Sequence, residues 1–92
     1  MAAADEILGT RMNELLDKEH LLGGTGYRYH LERMIYRNCT TKVAFSIEFV
    51  KDHSVRELQR LIEAPTTGNW VFHFNVPPPE SIKHDLIRDL EK

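Results

Sequence analysis

Hydrophobic and polar positions alternate with period two over residues 43–49 and again over 70–76. In the first run Val43, Phe45, Ile47 and Phe49 stand against Ala44, Ser46 and Glu48. In the second, Trp70, Phe72, Phe74 and Val76 stand against Val71, His73 and Asn75. This is the spacing of half-buried strands. Between them Val55, Leu58, Leu61 and Ile62 recur at helical spacing. Ser54 and Glu57 open that helix as a capping box, and Pro65 stops it. Pro77, Pro78 and Pro79 end the second strand.

Two further helices flank this stretch. Residues 3–22 carry Ile7, Leu8, Met12, Leu15, Leu16 and Leu22 at helical spacing, with Asp5 and Glu6 in the first turn. Gly23, Gly24, Thr25 and Gly26 end that helix as a joint. Residues 80–92 place Ile82, Leu86, Ile87 and Leu90 on one stripe, with Pro79 suited to the first turn.

Residues 27–36 fit a strand or a helix. Three tyrosines and Ile35 favour the strand, paired as a hairpin with residues 43–49 through a three- or five-residue loop around 38–41. The connection from Val50 to Trp70 allows a parallel crossover or an antiparallel edge strand. The expected fold is a single α+β domain ordered helix, β-hairpin, helix, strand, helix. It has about three strands, with helices mainly on one face. Residues 1–22 form the N-terminal helix, 23–26 the joint and 27–92 the α+β body. The rows 43–49 and 70–76 are both expected to face the helix of residues 55–62.

Composition narrows the function. Ninety-two residues hold one core. A chain this small, with exposed sheet edges, is expected to gain stability as a homodimer. Fourteen acidic side chains against twelve Lys and Arg give a net charge of -2, which supplies no global field for a polyanion. The single cysteine, Cys39, excludes an internal disulfide and suits a reducing, intracellular (cytoplasmic) compartment. Residues 1–6 lack the basic and apolar regions of a signal peptide, and no run approaches a membrane span.

Candidate chemistry is sparse. The glycines at 23–26 follow a helix rather than a strand and precede no lysine, so a hinge explains them better than a phosphate cradle. Cys39 with His30 has no accompanying oxyanion-hole sequence, and the five histidines show no metal-ligand spacing. His53 and His73 are the pair to inspect first. The expectation is a non-enzymatic domain with no catalytic residues, metal or cofactor.

The most suggestive cluster is Tyr27, Arg28, Tyr29, His30, Arg33, Tyr36 and Arg37, extended by Lys42. Tyr and Arg are the residues that protein interfaces favour. These seven residues are therefore assigned to partner binding in an interaction or regulatory module, an adaptor, inhibitor or small subunit that also self-associates. The alternative is a nucleic-acid-binding surface over residues 27–42, where cations neutralise phosphates and tyrosines stack on bases. The acidic first helix complements this basic segment, which gives self-association an electrostatic motive.

Overall fold

The computed structural model describes residues 14–92. The expected helical turns before residue 14 lie outside the described residues. From residue 14 the chain runs as helix α1 (14–24), β1 (Arg28–His30), β2 (Ile35–Asn38) and β3 (Val43–Ser46). It continues through α2 (Ile47–Asp52), α3 (Val55–Glu63), β4 (Val71–His73) and α4 (Glu80–Leu90). The fold is α+β, as the patterning predicts, with one four-stranded sheet in the order β1-β2-β3-β4.

Helix α1 runs through Gly23 and Gly24 and is closed by Gly26, whose φ of 94° is open to glycine at little cost. Tyr27 N–H donates to Leu22 O at 2.9 Å and Gly26 N–H to Gly23 O at 3.4 Å. That pair of bonds is the Schellman closure, and the apolar contact that accompanies it joins Leu22 to Tyr27 inside the core.

The segment 27–36 is two strands rather than one. The chain turns through Leu31–Met34, so the sheet gains a fourth strand over the three expected. Met34 closes this turn at φ 58°, and its N–H donates to His30 O at 2.8 Å. The turn between β2 and β3 repeats the device. Lys42 takes φ 60°, with its N–H on Asn38 O at 2.8 Å. Each closing residue then offers its carbonyl to a later element: Ile47 N–H donates to Met34 O and Val71 N–H to Lys42 O, both at 2.9 Å.

The second turn corrects the expected loop. Asn38 pairs with Val43 across four residues, an even number. Tyr36 therefore lies opposite Phe45, and Arg37 opposite Ala44. Tyr36, Val43 and Phe45 share one face of the sheet; Ile35, Arg37 and Ala44 share the other. Asn38 secures the turn. Its Oδ1 accepts from Thr40 N–H at 2.9 Å and Thr41 N–H at 3.1 Å, while its Nδ2 donates to Thr25 O at 3.1 Å.

Strand β3 is also shorter than the alternation predicts. Ser46 caps a helix, its Oγ accepting from Phe49 N–H at 3.1 Å, so Ile47 and Phe49 belong to α2. Ser54 caps α3 as its capping box predicts, accepting from Glu57 N–H at 3.1 Å. Strand β4 joins β3 in parallel, Val43 with Val71 and Phe45 with His73.

Two apolar clusters result, one on each side of the sheet. Leu22, Tyr27, Tyr36, Val43, Phe45, Val50 and Leu58 pack on the side of α1, α2 and α3. Ile35, Ala44, Leu86 and Leu90 pack on the side of α4, joined by Trp70, Phe72 and Phe74. The aromatic row of β4 therefore faces α4, not α3 as expected. The reason is register: Phe72 pairs with Ala44, whose neighbours Val43 and Phe45 point the other way.

Removing the Asn38 amide takes the partner from three backbone groups of a half-exposed turn in which Asn38 itself is buried. Asn38→Ala is expected to lower stability by about 1–2 kcal/mol in urea denaturation, with the slope of the transition unchanged.

Candidate functional site

The residues assigned to partner binding divide by the face on which the register puts them. Tyr27 and Tyr36 are 6% and 9% exposed and belong to the core. The Tyr27 ring lies 5.4 Å from that of Phe45. Burial raises the phenol pKa of both tyrosines, and the nearby Glu19 carboxylate pushes Tyr36 further in the same direction. Tyr29, 39% exposed, rests its ring 4.8 Å from that of Tyr36.

Arg33 and Arg37 bind the C-terminal end of α4. Arg33 donates from Nε (2.9 Å) and from a terminal nitrogen (2.6 Å) to Asp89 Oδ2. Arg37 donates from Nε to Leu90 O at 3.0 Å and from NH1 to Arg28 O at 3.2 Å. A guanidinium on the last carbonyls of a helix is favoured both by hydrogen bonding and by the helix dipole. Arg33 holds the Asp89 carboxyl below its ordinary range, chiefly through these hydrogen bonds. His30 turns its Nδ1 inward to accept from Arg33 N–H at 3.1 Å.

What this set leaves on the surface is the outer rim of the β1–β2 hairpin. Strand β1 is a sheet edge, and both Arg28 and Tyr29 are exposed on it. At the tip, Leu31 is 77% and Met34 53% exposed. Leu31 and Met34 lie within the 27–36 segment that fits a strand or a helix, and neither is among the seven residues assigned to partner binding. A turn lacking Gly, Pro, Asn and Asp gives no sign in sequence that its apolar residues point outward.

The pair His53 and His73 does come together, around Phe49. The His53 ring stacks on Phe49 at 3.7 Å, and the His73 ring lies 4.9 Å from Phe45 and 5.7 Å from Phe49. His53 caps α2 and holds Phe49 O through Nδ1 at 2.8 Å. Burial holds the His73 imidazole below its ordinary pKa of 6.5, and His53 acts in the same direction. The arrangement is a packed aromatic seam between α2 and β4. Among the described residues no three His, Cys, Asp or Glu side chains group as metal ligands.

Lys18 was also not read as special in the sequence. It is buried, and its Nζ donates to Lys51 O at 3.2 Å, capping α2 from α1. Cys39 lies in the β2–β3 turn, with its thiol on Leu90 O at 3.2 Å. No described helix is long and apolar enough to cross a membrane.

Neither a protein-family model, nor a curated protein, nor a solved structure matches this chain. The functional reading therefore rests on the geometry.

The histidine seam sets a pH dependence. With its folded pKa depressed, His73 favours the native state while neutral. That contribution is complete above about pH 6.5 and is lost as pH falls through the folded value. The urea midpoint is expected to drop between about pH 7.5 and about pH 5, and to drop less in His73→Gln. An equal drop in the variant refutes the assignment.

Proposed function

We propose that this domain is a non-enzymatic protein-interaction module that engages its partner through the outer rim of the β1–β2 hairpin. The observation that carries this reading is the projection of Leu31 and Met34 from a tip beside the β1 edge, unpaired among the described residues, that also presents Arg28 and Tyr29. Large apolar side chains at an exposed turn contribute nothing to the core. Beside Tyr and Arg they have the composition of an interface centre. An open edge adds backbone donors and acceptors for a partner strand. A second copy of the chain is one such partner, which keeps self-association within the proposal, in an intracellular setting.

The nucleic-acid alternative has less support. Arg33 and Arg37 are held by α4, and two of the three tyrosines are packed inside. Arg28, Lys42 and Tyr29 remain as the exposed elements of that set.

Site-specific photocrosslinking tests the proposal. A benzophenone side chain at position 31 is expected to capture a discrete protein, or a second copy, from an extract of the source cell. The same group at Arg60, on the wet face of α3, is not. Leu31→Asp with Met34→Asp is expected to abolish capture while leaving stability within about 0.5 kcal/mol, because both side chains are exposed. Equal capture from positions 31 and 60 counts against the hairpin rim.

A further inference from the structure

A concavity of about 270 Å³ lies where the end of α1, the start of β1, the end of β2 and the last residues of the chain meet. We infer that it is a binding site for a dianionic oxyanion of the phosphate class. Arg28, Arg37 and Lys92 line it, against the single carboxylate of Glu91. Among the lining side chains three cations face one carboxylate, a surplus that favours an oxyanion.

The acceptors nearby already hold hydrogen bonds or an ion pair. Leu90 O, at the C-terminal end of α4, accepts from Arg37 Nε and from the Cys39 thiol. Glu91 Oε1 accepts from the Trp70 indole N–H at 3.0 Å. Lys92 Nζ stands 3.9 Å from Asp89 Oδ1, while Arg33 donates to the other oxygen of that carboxylate. Arg37 is fixed by its Nε and NH1 bonds, so its remaining N–H groups are presented in a set orientation.

The opposite wall is also specified. Gly26 lines the cavity, and a Cβ placed there would come within 3.1 Å of Asn38 Nδ2, at a φ that side chains rarely adopt. The bare backbone and the Asn38 fastener keep the space open. Its volume falls just under the roughly 300 Å³ at which pockets for drug-sized ligands begin. Free phosphate, or a phosphate ester of a small molecule, is the size that fits. This cavity shares Arg28 with the hairpin rim; Lys92→Ala, which lies outside the rim, and Leu31→Asp with Met34→Asp, which lie outside the cavity, separate the two readings.

Cys39 lines the same cavity and reports on it. The experiment measures the rate of Cys39 alkylation by iodoacetamide at fixed ionic strength, with added inorganic phosphate, glycerol phosphate or sodium chloride. Phosphate is expected to slow alkylation saturably, by at least about threefold, while chloride does not. Arg28→Ala and Lys92→Ala are each expected to raise the half-protecting concentration by roughly three- to tenfold. Arg28 is chosen because its side chain is exposed and makes no hydrogen bond among the described residues, and circular dichroism checks that each variant stays folded. Tighter protection by glycerol phosphate assigns the site to an ester, and tighter protection by inorganic phosphate assigns it to the free ion. Protection no greater than that of chloride, or unchanged in both variants, overturns the proposal.

Discussion

The pairing of β2 with β3 is the constraint on which the rest of the molecule depends. A four-residue turn closed by Lys42 in the left-handed region sets Tyr36 opposite Phe45 and Arg37 opposite Ala44. That choice sends tyrosine and phenylalanine to the side of α1, α2 and α3, and a guanidinium to the side of α4. A slip of one residue would exchange them, burying Arg37 among the first cluster and sending Tyr36 to the side of α4. The Asn38 side chain guards against the slip, because it ties the turn both to itself and to the end of α1.

Once the register is set, charge becomes a structural material. Arg33 and Arg37 come from neighbouring parts of one hairpin, and both end on the final turn of α4. They do so some fifty residues away in sequence, at separations of 56 and 53. Lys18 does the same for α2 from α1. Cations thus fasten two helices whose C-terminal carbonyls lack partners of their own. The basic character of residues 27–42 is in large part the chemistry of holding a small sheet to its helices.

The elements visible in the sequence were those with unambiguous local signals. Ser54 with Glu57 marks α3, Pro65 its end, and the stripe of Leu86, Ile87 and Leu90 marks α4, whereas the strand expected over 70–76 is only Val71–His73 and ends before the prolines. The division of 27–36 into two strands was hidden, because Met34 takes a left-handed conformation that a turn reading assigns to Gly or Asn. The early end of β3 was hidden for a different reason. Ile47 and Phe49 continue an alternation that fits a strand, and only the Ser46 cap diverts them into α2. For the candidate site, the segment could be read but its partition could not. Which tyrosines turn inward follows from register, and register is a tertiary property.

The attachment of β4 has a consequence for how the domain opens. Strands β1, β2 and β3 are joined by two short turns, so their contacts close small loops. Strand β4 reaches β3 only after the crossover through α2 and α3, and it is held in parallel over three residue pairs. Its loop-closure cost is larger, and its ladder is no longer than that of β1 with β2. Strand β4 is therefore the strand that parts from the sheet most readily, while α4 stays fastened to the β1–β2 hairpin by Arg33 and Arg37; its release would turn β3, from Val43 to Ser46, into a fresh edge.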